Sequence, residues 1–441
     1  MPSPPHRNSS AAGVSLAEDG RYSSALAEEL ADDVLERFLR YVRIDTQSDE
    51  KSATSPSTEK QRNLGELLAG ELRELDLADV ELTEHGYVFA SLPGLRGPTI
   101  GLIAHMDTSP DESGANVQPE VVRYEGGDIV LSGDARQTIR PDDSVLLAER
   151  VGHDIVTTDG TTLLGADDKA GVAEIMAAVG YLSRHPEIEH TPIRVGFTVD
   201  EEVGRGTDHF DIDAFGADFA YTADGSEVGR IDDETFAASE VRVLIEGHSV
   251  HPGMSKGKLV NSIKLAALFL EKLPKDRLSP ETTEDREGFV HPVGIEGAAA
   301  RTTITFIVRD FDSAKVAEDE QLLRDLASEL EHDEPRARVR VEVEESYRNM
   351  KDALQARPRI LDAADEATRR VGLDPTRSAI RGGTDGAMLT ARGLLTPNIF
   401  TGGQEYHSVR EWISVQDMAA SAATLVELAK LWAEPEWSDS A

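Results

Sequence analysis

The strongest constraint on the fold is a repeated local pattern: a short apolar run that stops abruptly at carboxylate or imidazole side chains. Thr99–Ala104 is one such run and leads into His105-Met106-Asp107. Ile193–Thr198 runs into Val199-Asp200-Glu201-Glu202, and Phe219–Thr222 into Ala223-Asp224-Gly225. Leu163-Leu164 reads as a further strand end, with Gly165-Ala166 as a tight exit into Asp167-Asp168. Short β-branched runs without alternation form strands buried on both faces, which belong to parallel sheets covered by helices. In such sheets ligands bind beyond the carboxyl ends of the strands. Three consecutive carboxylates at the end of a buried strand are costly unless a cation or proton compensates them. Each fragment alone also has a plainer reading. His105 and Asp107 can be a structural pair, Asp167 or Asp168 a helix cap, and residues 200–202 a solvated acidic loop.

Helical periodicity fills the intervals. Leu30, Val34, Leu35, Phe38 and Val42 recur at three and four within an amphipathic helix over Leu26–Val42. Ser57-Thr58-Glu59 is placed to cap a second helix bearing Leu64, Leu67, Leu68 and Leu72. Short strands are expected around Val80–Leu82 and Tyr87–Leu92, and Ala170–Leu182 has the composition of a buried helix. From about residue 236 to 348 the order changes to strand, helix, strand, strand, helix, strand, the split βαββαβ arrangement of ferredoxin-like folds. The expected organisation is a disordered extension over 1–25 and an α/β catalytic domain over 26–235 and 349–441. The βαββαβ domain over 236–348 is inserted between the two catalytic segments. In the last segment, Arg381-Gly382-Gly383-Thr384-Asp385-Gly386 is a glycine-rich turn into a helix, and a strand at Pro397–Thr401 opens onto the loop that carries His407.

Composition narrows the chemistry. The chain has 441 residues, 39% of them hydrophobic, enough for sizeable cores, and no apolar run approaches the ~20 residues of a membrane span. With no cysteine, a thiol nucleophile or thiolate metal site is excluded, so any metal must be held by imidazoles and carboxylates. A net charge of −37 argues against nucleic acid or an anionic membrane as partner. It fits an acidic cytoplasmic protein, or one whose hydrated carboxylate surface is an adaptation to salt. The Ser- and Pro-rich start lacks the apolar core of a secretory signal.

Taken together, His105, Asp107, Asp167, Glu201, Glu202, Asp224 and His407 are the ingredients of a two-metal hydrolytic centre. Such a centre needs two ions about 3.5–4 Å apart, a bridging carboxylate, and a further carboxylate free to take a proton. AHMDTSPD, TTDGTTLLGADDKAGVAEIM, FTVDEEVG, YTADG, HPGMSKGKLVN, IRGGTDGA and NIFTGGQEYH resemble the peptidase T family, tripeptide aminopeptidases of the M20 metallopeptidase superfamily. The H-x-D and D-E-E patterns mark the superfamily, whereas DTQS, LLGADDKAG and IRGGTDGA narrow it to peptidase T.

The resemblance implies a zinc-exopeptidase-like fold with the inserted domain as a lid, and two zinc ions per subunit, with manganese or cobalt as substitutes. It implies His105 and Asp224 on one ion, Glu202 and His407 on the other, and Asp167 bridging through a cis Asp167–Asp168 peptide. Glu201 is then the general base, and Asp107 orients His105. His251 is implied to polarise the scissile carbonyl. Asn261, Arg309 and Arg381 are candidates for holding the substrate backbone and carboxylate, against the plainer reading of the arginines as surface ion pairs. The implied reaction is hydrolysis of the N-terminal peptide bond of tripeptides by a water held on two metals. A dipeptidase, carboxypeptidase or N-acyl amino acid deacylase would use the same residues. The exposed strands of the inserted domain are a candidate homodimer surface.

Overall fold

The apolar runs become the inner strands of one eight-stranded sheet. The computed structural model describes residues 20–438, so the extension expected over 1–25 lies mostly outside the described residues. The strand order is Ala78–Leu82, Val88–Leu92, Ile193–Thr198, Ile100–His105, Phe219–Gly225, Asn398–Phe400, Arg230–Thr235, Thr376–Ile380. The inner strands run parallel. Ile100 lies opposite both Ile193 and Phe219, His105 opposite Thr198, and Asn398 opposite Thr222. This register brings the residues that follow Thr198, Ala223 and Phe400 to the same end of the sheet as His105.

Leu163 and Leu164 do not form a strand. The Leu164 N–H donates to the Glu411 carboxylate, so a side chain occupies the place a ladder partner would take. Nor does Ser57 cap the second helix, which spans Gln61–Glu74. The Ser57 N–H donates to Asp200, and its hydroxyl accepts from the Asp49 N–H and the Gln61 amide. The buried helix continues to Arg184. Its first residues from Ala166 are broken at Asp167 (φ −84°, ψ 106°) and Asp168 (φ −122°, ψ 35°), which are non-helical, so the regular turns begin after them, close to the start of the apolar run. Gly171 is where this helix meets the Phe219–Gly225 strand: a Cβ there would come within 1.8 Å of the Ala223 carbonyl oxygen.

The chain divides into two compact units. One holds the described residues up to Asp233, Leu354–Ser378 and the described residues from Gly393; the other holds Glu234–Ala353 and Ala379–Arg392. The second has the βαββαβ order, with sheet order Phe289–Ala298, Arg301–Asp310, Ala237–Glu246, Arg338–Tyr347, every pair antiparallel. Alternate residues Val241, Val243, Ile245, Ile304, Phe306 and Val308 are buried with Leu265, Phe269, Leu323 and Leu330 of its helices Ser262–Glu271 and Ser313–Asp333. Residues 379–392, expected in the second catalytic segment, cluster with this unit instead. Ala379 and Met388 pack on Phe236, Phe289, Phe311 and Tyr347. Gly383 lies so close to the Tyr347 ring that a Cβ would be 2.5 Å from it. No described helix is long and apolar enough to cross a membrane.

The contact at Gly171 sets a test of the fold. Gly171→Ala forces the helix off the strand and should cost about 1–3 kcal/mol or more, read as a lower midpoint in urea unfolding. An unchanged midpoint would show that the helix and strand can part without cost.

Candidate metal centre

His105 ends its strand with an almost fully buried side chain. Its Nδ1 lies 3.1 Å from the Asp107 carbonyl oxygen, which can only accept, so Nδ1 carries the proton of the neutral ring and Nε2 is left as the electron-pair donor. Nε2 lies 2.9 Å from Asp167 Oδ1 and 3.8 Å from Asp224 Oδ1. The Asp107 carboxylate, 3.4 Å from Nδ1, accepts the N–H groups of Glu201 at 3.1 Å and Glu202 at 3.2 Å. Asp107 therefore steadies His105 through its carbonyl and the Glu201-Glu202 turn through its carboxylate.

The adjacent carboxylates Asp167 and Asp168 divide their work across a cis peptide, the geometry the family resemblance implies. Asp168 Oδ1 accepts the Gly171 N–H, the capping role, and Oδ2 accepts the His105 N–H. Asp167 instead presents one oxygen to each imidazole, Oδ1 to His105 and Oδ2 to His407 Nε2 at 3.4 Å. The acidic run after Thr198 divides similarly. Asp200 is buried and accepts from Ser57 and Gln61. Glu202 Oε2 lies 3.0 Å from His407 Nε2, while its buried Oε1 has no hydrogen-bond partner among the described residues. Glu201 is half-buried beside it. Asp224 is placed by Asn398, whose Oδ1 accepts the Asp224 N–H at 3.1 Å.

His407 sits on the loop after Asn398–Phe400 with a left-handed backbone, φ +58°, and its Nδ1 faces Asp111 Oδ2 at 3.3 Å. Two residues that hold the site were missed in the sequence. Asp111 backs His407, and buried Glu411 accepts the N–H groups of Leu164, Gly165 and Asp167. The only signal for Glu411 was a carboxylate four residues beyond His407.

The electrostatics are those of a centre short of positive charge. Burial alone would lower the His105 pKa, but Asp107 and Asp167 raise it well above the usual imidazole value. Hydrogen bonds to Asp167 and Glu202 raise His407 to about 11. Burial would raise Asp167, yet the two imidazoles hold it well below the carboxylate range. Burial and the neighbouring Asp167 raise Glu202 to about 7. Burial, aided by Asp224, raises Asp168 well above its usual value. Burial raises Glu411 to about 7 against the pull of its three N–H donors. The ligand-type atoms of His105, Asp167 and Glu202 all lie within 4.8 Å of one another, as do those of His105, Asp168 and Asp224.

The four remaining sequence candidates lie in the second unit. His251 caps the short turn Pro252–Met254, its Nδ1 accepting the Gly253 N–H, and Asn261 caps the helix Ser262–Glu271. Arg309 lies over the Phe289 ring, and its Nε has no hydrogen-bond partner among the described residues. Arg381 lies over Phe236 and Phe289 and donates to the carbonyls of Thr283 and Asp285 and to the Thr283 hydroxyl.

Residues 156–431, more than half the chain, match the model of peptidase family M20/M25/M40. The chain is 45% identical over 404 residues to peptidase T of Geobacillus thermodenitrificans, covering 91% of this chain and 98% of that one. The structure resembles that of aminopeptidase PepT from Bacillus cereus, with TM-score 0.69, 23% identity, and coverage of 92% of this chain and 99% of that one. It also resembles a dinuclear metal-binding peptidase of the M20 family from Bacillus subtilis, with TM-score 0.63, 14% identity, and coverage of 92% and 99%. The chain therefore belongs to the peptidase T family of M20 peptidases.

Proposed function

We propose that this protein is a two-metal aminopeptidase that removes the N-terminal residue of tripeptides. The observation that carries the reading is the Asp167 carboxylate, with one oxygen toward each of two imidazoles inside a buried set of carboxylates. The residues suit two divalent ions: Nε2 of both histidines faces carboxylate oxygens, and buried Glu202 Oε1 lacks a partner among the described residues. His105 and Asp224 would hold one ion, Glu202 and His407 the other, with Asp167 shared between them. Zinc is the assigned metal, with manganese and cobalt as substitutes. When bound, the ions supply Lewis acidity and a water acidic enough to ionise near neutral pH.

The protein's own residues do the rest. Glu201 takes the proton of the attacking water and delivers it to the leaving amine. Its backbone is fixed by Asp107, the residue that also holds His105, so base and ligand share one anchor. His251 polarises the scissile carbonyl, and Asn261, Arg309 and Arg381 hold the peptide. The Arg309 Nε, without a hydrogen-bond partner among the described residues, and the seating of both guanidinium groups over aromatic rings support the arginine assignments. The second unit, Glu234–Ala353 with Ala379–Arg392, serves as the substrate-holding lid. The family match and the Bacillus cereus likeness favour the aminopeptidase over other M20 specificities. The acidic composition and the lack of a membrane-spanning helix among the described residues support a cytoplasmic enzyme.

A homodimer through the second unit completes the proposal. Val293 and Ile295 on its edge strand are 48% and 55% exposed, and Ile263 and Leu268 on the neighbouring helix are 48% and 53% exposed. Apolar side chains this open on a sheet edge favour a covering partner.

Three tests follow. Glu201→Ala should retain two ions by elemental analysis and lose at least about a hundredfold in kcat on tripeptides, while His407→Ala should lose metal as well. Persistent activity in Glu201→Ala, or cleavage of N-acetylated tripeptides by the unmodified enzyme, would overturn the reading. Because His105 and His407 hold protons in the metal-free protein, ion binding must release them, and ion affinity should rise with pH between 6 and 9. Calorimetry in buffers of different ionisation enthalpy would count those protons, and a count of zero contradicts the assignment. Val293→Lys with Ile295→Lys should turn a dimer into a monomer by light scattering.

A further inference from the structure

Glu411 lies outside every residue assigned above to ion, base or substrate, yet its side chain is only 1% exposed. Its carboxylate is spent on backbone. Oε2 accepts the N–H groups of Leu164 at 2.8 Å and Gly165 at 2.7 Å, and Oε1 accepts that of Asp167 at 3.0 Å. Leu164 and Gly165 belong to a segment with no strand ladder, Gly165 holding φ +83°, and Asp167 stands where that segment enters the helix, with a non-helical backbone. A buried turn of this kind would otherwise leave its N–H groups unpaired. The turn carries Asp167, and Glu411 itself stands four residues beyond His407 in the loop that carries the second imidazole. One side chain thus ties the segment bearing the shared carboxylate to the segment bearing its partner histidine.

We propose that Glu411 is a positioning residue that fixes the Asp167 carboxylate against His407 and so sets the spacing of the two ions. The proposal rests on the two-ion reading of the site. The chemistry calls for a carboxylate, because both oxygens must accept. An amide of the same shape would turn its NH2 toward either the Leu164 and Gly165 N–H pair or the Asp167 N–H, setting donor against donor. The turn would then shift, and Asp167 could no longer keep one oxygen toward each imidazole.

The test compares Glu411→Gln and Glu411→Asp with the unmodified protein, using Glu174→Gln as a control. Glu174 is a fully buried carboxylate on the same helix as Asp167, and its hydrogen bond runs to Ser421 rather than to the turn. Zn2+ affinity is read by competition with a chromophoric chelator, and ligand geometry by the absorption spectrum of the Co2+-loaded protein. Glu411→Gln should weaken ion binding about tenfold to a hundredfold and alter the cobalt spectrum. Glu411→Asp, too short to reach both sets of N–H groups, should fall between, and Glu174→Gln should match the unmodified protein.

Unchanged affinity and spectrum in either folded Glu411 variant would overturn the proposal, as would equal weakening in Glu174→Gln. Hydrogen exchange on the unmodified protein gives an answer that needs no variant. The Leu164, Gly165 and Asp167 amides should be protected both with and without Zn2+, and rapid exchange would equally overturn the proposal. Failure of the unmodified protein to take up two ions would instead refute the two-ion reading itself.

Discussion

His105, Asp167, His407 and Glu202 form one unbroken relay of contacts, imidazole to carboxylate to imidazole to carboxylate, at 2.9, 3.4 and 3.0 Å. Everything else at the sheet end serves to hold this relay or to bear its cost. Asp107, Asp168, Asp224 and Glu411 crowd around it, so negative charge outnumbers positive by a wide margin. Concentrating that charge away from water is unfavourable unless cations or protons answer it. In the metal-free chain the answer is protons: both imidazoles are held charged, and Asp168 and Glu202 are pushed toward their neutral forms.

The surrounding structure shows how such a cluster is made rigid. The two carboxylates of the relay each have a neighbour that spends its own charge on backbone N–H groups. Asp168 stands beside Asp167, Asp107 beneath Glu202, and Glu411 behind the Asp167 turn. Charge-assisted bonds to backbone N–H groups are among the strongest hydrogen bonds a side chain makes, and they leave little freedom to the residues they hold. The division explains why acidic residues come in pairs and triplets here. In Asp200-Glu201-Glu202 the first member anchors the Ser57 turn and the last meets His407.

Much of this was legible in one dimension. The helix over Ala25–Tyr41 and the strands from Ile100, Ile193 and Phe219 follow from periodicity and apolar runs. The βαββαβ unit was readable for the same reason, its strand Arg301–Asp310 alternating between core and surface. Three expectations failed where a distant residue decided the local structure. Leu163-Leu164 is apolar enough for a strand, but the Leu163 N–H donates to the Ser113 carbonyl and the Leu164 N–H to Glu411, 247 residues away. Ser57 looks like a helix cap but serves Asp200, and residues 379–392 join the second unit because Phe236 and Tyr347 gather them. No local pattern carries that information.

By itself the sequence determined the chemistry available: imidazoles and carboxylates without thiols, placed at strand ends, with motifs specific enough to name a family. Residue type and short-range spacing suffice for that, since they set donor atoms and secondary structure. Which carboxylate faces an imidazole and which binds backbone was decided only by tertiary structure. The parallel register brings His105, Glu202, Asp224 and His407 to one end of the sheet, and adjacent side chains such as Asp167 and Asp168 part ways there according to which long-range partner each one meets.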